Sequence, residues 1–397
     1  MSRLFGFALL FIVIGTILTG LHYYFWVRLV RDTQLSGTVR QVATATIWLL
    51  ELLIVATFVG RVGPRSFSVI VAWPGFLWMG SMFILLVVLL GLDVLRLLTG
   101  LTGRLFGTAS VLDTSRRVFT ARMLAGAALA STFGLVAAAV RATRGQIEVK
   151  RVEIEIDQLS PSFDGTRIVQ LCDLHVGGLL GRSFVERVVR TTNALEPDIV
   201  AIVGDLVDGT VEELRPALAS LTELRARYGT FFVTGNHEYY SRSGAAAWMA
   251  EIERMGIRVL LNQRVAIGGA QPGFDLAGVP DHGASRFPEE RPGENVVLAM
   301  AGRDPGRPVI LLAHQPKTIH EAAHLGVDLQ LSGHTHGGQI WPWGALVRLQ
   351  QPFIRGLHRV RATQLYVSCG TGFWGPPMRL AAPAEITEVV LRCKRPV

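Results

Sequence analysis

Apolar residues are crowded into the first 140 positions and thin out sharply afterwards. Leu4 to Trp26 holds no Asp, Glu, Lys or Arg. A hydrocarbon core of ~30 Å takes about 20 helical residues, so this run predicts a membrane-crossing helix. His22, Tyr23, Tyr24 and Trp26 close it as an interfacial aromatic belt would. The run is too long for a signal peptide and shows no small-residue cleavage site, and the apolar runs behind it favour a retained helix. Those runs lie at about Ala43 to Val59, Phe67 to Leu95 and Met123 to Val140, which predicts about four helices. Pro74 is tolerable near the end of a membrane helix. Glu51 falls in mid-span, where a carboxylate is costly. It reads either as a functional group or as a polar contact inside the bundle.

From about Gly145 the pattern changes to short β-rich runs that alternate with amphipathic stretches. Strands are expected at Arg167–Cys172, Asp198–Val203, Thr230–Thr234, Val309–Ala313, Asp328–Leu331 and Leu365–Ser368. Helices are expected at Ser183–Asn193, Ala245–Met255 and Pro316–His324. Such alternation predicts an α/β sandwich of mixed sheets flanked by helices. The implied division is a transmembrane region over 1–145 and a second domain over 146–397. Gly283–Pro308, rich in Pro, Gly and charge, reads as a loop or insertion.

The 397 residues are half apolar, and the mean hydropathy of +0.37 is high for a soluble protein. The formal charge of +8 is carried almost wholly by arginine, since Lys150, Lys317 and Lys394 are the only lysines. Many arginines flank the apolar runs, among them Arg28, Arg31, Arg61, Arg116, Arg117 and Arg141. Membrane-flanking charge therefore accounts for the basic balance, and no nucleic acid is expected as a partner. Loops one and three carry slightly more basic residues than the side holding Arg3, Arg61, Arg65, Arg141, Arg144, Lys150 and Arg151. The positive-inside rule then tilts those loops to the cytoplasm and the C-terminal domain to the outside. Cys172, Cys369 and Cys393 show no C-x-x-C spacing, so neither a disulfide framework nor a thiolate zinc site is implied. Redox compartment and oligomeric state stay open.

The chemistry sits where apolar runs end. IVQLC leads into Asp173-Leu174-His175, IVAIV into Gly204-Asp205-Leu206-Val207-Asp208-Gly209, and TFFVT into Gly235-Asn236-His237-Glu238. VILLA leads into His314, and LQLS into Gly333-His334-Thr335-His336-Gly337-Gly338. Ligand sites of α/β sheets lie at the carboxyl ends of strands, so five loops converge on one edge. Carboxylates, imidazoles and an amide oxygen suit Mn, Fe or Zn. In Asp173-x-His175, alternate residues of an extended segment point one way and reach one ion; His334 and His336 repeat that spacing. Asp205 at a strand tip can bridge two ions through its two oxygens. Two ions at ~3.5–4 Å clamp a phosphate and activate water. Each motif alone is an ordinary turn or a satisfied histidine; the five in order carry the signal. No G-x-x-x-x-G-K-[ST] loop occurs, which removes a nucleotide-driven motor or kinase.

The order D-x-H, G-D-x-x-D, G-N-H-[D/E], H, G-H-x-H resembles the signature of the calcineurin-like metallophosphoesterases from about Arg151 onward. The tail Tyr366-Val367-Ser368-Cys369-Gly370-Thr371-Gly372 with Trp374-Gly375-Pro376-Pro377 resembles a bacterial, membrane-associated YkuE-like branch. The resemblance implies a calcineurin-like sandwich and two divalent ions. Asp173, His175 and His336 would hold the first, Asn236, His314 and His334 the second, with Asp205 between them. It further implies that His237 protonates the leaving oxygen or steadies the transition state, that Glu238 orients His237, and that Asp208 stands behind the ligands. Tyr239, Tyr240, Trp341, Trp343, Phe373 and Trp374 either line an apolar substrate pocket or cover the sheet edge. Arg355 and Arg379 are either phosphate contacts or surface arginines. The reading is a membrane-anchored hydrolase of a phosphomonoester or phosphodiester, possible substrates including lipid-linked ones. A pyrophosphatase of a nucleotide-linked lipid precursor and a non-catalytic membrane receptor are the alternatives; the complete ligand set counts against the receptor.

Overall fold

The computed structural model describes residues 2–60, 65–106, 113–269, 273–289 and 292–394. Arg61 lies outside them, as do the side chains of Arg3 and Arg65. The chain divides into two compact units, Met1–Val140 with Gly375–Pro377 and Arg141–Trp374 with Met378–Val397.

The first unit holds four long helices, α1 (Ser2–Trp26), α2 (Gly37–Gly60), α3 (Arg65–Leu105) and α4 (Thr114–Arg144), and a π-helical turn at Val27–Arg31 prolongs α1. Each contains a span long and apolar enough to cross a membrane. In lipid, helices approach through small residues rather than through hydrophobic exclusion, and the packing shows it. A Cβ at Gly75 of α3 would lie 1.7 Å from Thr57 Oγ1 of α2. The buried face of α4 is Ala121, Ala125, Ala128 and Thr132, the i, i+4 and i+3 spacing of one helical stripe. Several polar groups of this unit pair with one another. Arg28 donates to Asp93 through Nε (3.0 Å) and Nη2 (2.6 Å), and Tyr24 Oη donates to the same oxygen at 2.7 Å. Glu51 accepts the Thr19 hydroxyl at 2.6 Å.

The second unit is built on two six-stranded mixed sheets. The first sheet has β1 (Glu148–Ile156), β2 (Arg167–Leu171), β3 (Ile199–Val203), β4 (Thr230–Val233), β5 (Arg258–Val259) and β12 (Glu385–Cys393), in the order β1-β12-β2-β3-β4-β5. The second has β6 (Gln263–Ile267), β7 (Phe274–Gly278), β8 (Val309–Leu312), β9 (Leu329–Ser332), β10 (Gly356–Val360) and β11 (Thr363–Val367), in the order β10-β11-β9-β8-β7-β6. The central strands β2 to β5 and β7, β8, β9, β11 run parallel. Alternation divides each strand between two cores. Ile199, Ala201 and Val203 of β3 face Ile310, Leu312, Leu329 and Leu331 of the other sheet. Val200 and Ile202 turn outward onto Val185, Val188, Trp248 and Ile252 of the covering helices Arg182–Ala194 and Gly244–Arg254. The outer face of the second sheet packs Val309 and Leu311 against Val296, Ala299 and Ala322. The segment 283–308, expected as a loop, carries a 3-10 turn at Ala284–Arg286 and a short helix at Val296–Met300, the latter capped by Asn295; residues 290 and 291 lie outside the described ones.

Candidate metal centre

Every expected ligand lies two to four residues past the end of a parallel strand: Asp173 and His175 after β2, Asp205 after β3, Asn236 after β4, His314 after β8, and His334 and His336 after β9. The sheet hydrogen bonding continues into these loops and fixes their level. Asp173 N donates to Gly204 O (3.1 Å), His175 N to Asp205 O (3.0 Å) and Gly333 N to His314 O (3.0 Å). Beyond the strand ends the backbone leaves β geometry. Asp173, His175, Asp205, His334 and His336 all have positive φ, at 53°, 47°, 50°, 69° and 51°. Residues with a Cβ rarely adopt this region, and such strain gathers at functional sites where the surroundings over-determine it. The expected mechanism, side chains alternating along an extended segment, is corrected here: left-handed turns aim Asp173 and His175. His334 and His336 also part company, one to each side of the centre.

Among the described residues the donors gather in three sets, one of them His175, Asp208 and His237, and the other two hold the expected ligands. Asp173, His175 and His336 offer one oxygen and two nitrogens, all within 4.8 Å of one another, and Asp205, His314 and His334 form a second such set. Asp205 Oδ2 lies between them, 3.7 Å from His175 Nε2 and 3.2 Å from His314 Nε2. The outward nitrogens are already engaged. His175 Nδ1 meets Asp208 Oδ1 at 3.1 Å, and His314 Nδ1 meets the Val203 carbonyl at 2.8 Å. Donation from Nδ1 leaves Nε2 as a lone pair, the arrangement by which outer partners orient metal-binding histidines. Those lone pairs face other imidazoles: His175 Nε2 lies 3.1 Å from His336 Nε2, and His314 Nε2 lies 3.2 Å from His334 Nδ1. Asn236 Oδ1 is buried with no hydrogen-bond donor on it, a costly state for an amide oxygen. Converging lone pairs, two carboxylates and an unsatisfied amide oxygen fit divalent cations, and the O and N donor set fits Mn, Fe or Zn.

Without a cation, protons alone divide the charge unevenly. Burial and the neighbouring Asp205 push Asp173 up, whereas His314 and His237 hold Asp205 well below the usual carboxylate range despite its burial. His334 falls to about 3 through burial and the adjacent His314.

Asp208 has a larger part than expected. Its Oδ1 accepts from Nδ1 of both His175 and His237, the latter at only 2.5 Å. The sequence reading gives the orientation of His237 to Glu238; the structure gives it to Asp208. Glu238 is fully buried and its carboxylate takes three backbone N–H groups, Gly235 at 2.6 Å, Leu206 at 2.8 Å and Asp205 at 3.1 Å. It thus ties the β3 and β4 loops together. Burial and Asp205 raise it to about 7, with the N–H groups opposing.

Arg379 is corrected on both of its readings. It is 2% exposed and neither a surface arginine nor open to phosphate. Its guanidinium donates to the carbonyls of Gly370, Gly372 and Ala382 and lies 3.4 Å from His336 Nδ1. It holds the loop whose Thr371 N and Gly372 N bond the carbonyls of Cys172 and Asp173 at 2.8 and 2.9 Å. Arg355 is exposed and bonds the Ala381 carbonyl. The aromatic residues divide between the two readings. Tyr239 and Phe373 are buried packing residues, whereas Tyr240 and Trp374 are exposed and flank the His237 ring, each with its centroid 5.6 Å away.

Comparison with known proteins agrees with this geometry. The family model described as calcineurin-like phosphoesterase matches residues 166–338. A "Transmembrane protein with metallophosphoesterase domain" of Bos taurus is 43% identical over 253 residues, covering 62% of this chain and 57% of the relative. An "Uncharacterized metallophosphoesterase" of Aquifex aeolicus is 34% identical over 250 residues, covering 62% of this chain and 93% of the relative. A Danio rerio relative with the same name as the bovine one is 40% identical over 271 residues, covering 67% of this chain and 61% of the relative. The chain thus spans about three fifths of the length of the two vertebrate relatives.

Proposed function

The chain belongs to the calcineurin-like metallophosphoesterases, and from that premise we propose that it is a membrane-anchored hydrolase of phosphomonoesters or phosphodiesters with two divalent ions. Asp173, His175 and His336 would hold one ion, Asn236, His314 and His334 the other, and Asp205 would serve both. When bound, such a pair activates water and neutralises charge on the phosphoryl group. The chain itself supplies position and protons. Asp208 fixes the Nδ1 proton of His237, which leaves Nε2 to serve the leaving oxygen. Glu238 holds the Asp205 and Gly235 backbones in register, and Asp208 keeps His175 turned inward. Tyr240 and Trp374 beside His237 support a leaving group with aryl or apolar character, which keeps lipid-linked esters within the reading. The tail motif from Tyr366 to Pro377 supports the YkuE-like branch, and the arginine distribution supports a multi-pass topology with the second unit outside.

The observation that carries the proposal is Asp205 Oδ2 standing between two imidazoles whose other nitrogens are already committed. The test is metal content and turnover of the purified full chain on bis(p-nitrophenyl) phosphate and p-nitrophenyl phosphate. Mn-dependent turnover is expected with about two ions per chain. Asn236→Ala lowers turnover by more than about tenfold and loses one ion preferentially. Full metal content with no turnover of either ester would instead favour a receptor that keeps the fold.

A further inference from the structure

Beside the metal loops the second unit exposes a surface that catalysis leaves unused. Trp341, Trp343, Leu346 and Leu349 are 63%, 48%, 50% and 81% exposed. They surround the short helix Gly344–Val347, which is seated on the loop carrying His336: a Cβ at Gly338 would lie 2.6 Å from Gly344 Cα. Thr335, between the two histidines, donates to the Ile354 carbonyl at 2.6 Å and closes the other side of this segment. Exposed tryptophan and leucine clustered on one segment mark an interaction surface. The charges along this stretch of chain are of one sign. No Asp or Glu occurs between Asp328 and Glu385, while Arg348, Arg355, Arg359 and Arg361 do, all four exposed.

We propose that the Trp341–Leu349 segment docks on the face of an anionic bilayer, with tryptophan and leucine entering the interface and the arginines meeting headgroup phosphates. Tryptophan favours the headgroup level, and each arginine near an anionic leaflet adds to attraction. A second copy is a poor occupant, because a symmetric contact would set the arginines of this stretch against one another. Lipid is also the partner always at hand. The same chain carries four helices able to cross a membrane, and tethering raises the effective concentration of the bilayer. Because the segment adjoins the His334 and His336 loop, docking brings the metal centre to phosphoesters carried at the membrane surface. That consequence rests on the hydrolase reading; the docking itself does not.

The test places the full chain in nanodiscs of phosphatidylcholine and phosphatidylglycerol, with a fluorophore at Leu349→Cys in a Cys393→Ser background; Cys172 and Cys369 are buried. Doxyl groups on the acyl chains are expected to quench this probe at least about twofold more than one at the exposed Glu253→Cys. Combining Arg348→Glu with Arg359→Glu is expected to cut that quenching at least about threefold. Equal quenching at the two positions overturns the proposal. So does a probe at 349 shielded from aqueous iodide yet untouched by the doxyl lipids, which would assign the surface to a protein or a second copy. Quenching unchanged by charge reversal overturns the anionic assignment. Since no reading depends on turnover, an inactive enzyme leaves this result intact.

Discussion

The 2.5 Å contact between His237 Nδ1 and Asp208 Oδ1 makes one imidazole a reporter of the whole centre. Burial alone would lower the pKa of His237, but Asp205 and Asp208 outweigh it and raise it to about 9 from an ordinary 6.5. A folded-state value above the unfolded one stabilises the fold fully below pH ~6.5, and that contribution is lost as pH rises through about 9. With EDTA-treated protein, thermal unfolding is expected to lose on the order of 3 kcal/mol across this window. His237→Ala removes the pH-dependent part and Asp208→Asn shrinks it; a slope unchanged in His237→Ala would assign the titration to another group. At this scale the sequence was informative about which side chains meet. Six of the seven expected ligands lie in two of the three sets, and the seventh, Asn236, carries a buried oxygen that accepts no hydrogen bond. It misled on Arg379 and on Glu238, because their roles consist of hydrogen bonds to backbone groups of distant loops, which leave no periodicity to detect.

Elements explain why so few residues suffice. Each ligand is the second, third or fourth residue past a strand whose pairing is already fixed, so its position costs little additional ordering. What the strand cannot supply is close approach between neighbouring loops, and glycine supplies that. A Cβ at Gly235 would lie 2.2 Å from Asp205 Oδ1 and 2.4 Å from Asp205 N. Its φ of -98° suits any residue, so the constraint is space and not backbone strain. Gly235→Ala therefore has to displace the shared carboxylate. We expect a loss of about 1–3 kcal/mol in thermal stability together with reduced Mn content by elemental analysis. Normal content and stability would mean that the β3 and β4 loops are looser than their contacts indicate. The ligand-bearing strands were legible because each is an apolar run ended by a polar motif. Strand β12 was not, since Glu385 and Glu388 give it the look of a surface segment. Both are buried, Glu385 accepting from Tyr366 Oη at 2.8 Å and Glu388 lying 3.8 Å from Arg167. A carboxylate inside a sheet is stable only through partners elsewhere in the chain.

The whole molecule joins two units whose stability has different sources. The helices of the first unit are held by close packing and internal polar pairs, and none of the grouped donors lies in it. In the second unit, five ligands sit in left-handed backbone and several buried charges face one another, which opposes folding until cations neutralise them. Metal binding is thus expected to be coupled to the folding of one unit only. At a free ion concentration 100 times the dissociation constant, one site adds about 2.7 kcal/mol. For a unit of this size that corresponds to roughly 5–11 °C in Tm. Chelation of the full chain in detergent should accordingly lower one calorimetric transition by at least that amount, since two sites are emptied, and leave another in place, and re-addition of Mn should restore it. If both transitions moved together, the membrane helices would owe their stability to the metal centre as well. If neither moved, the converging lone pairs of His175, His314, His334 and His336 would be satisfied by something other than a divalent ion, and the hydrolase reading would lose its physical basis.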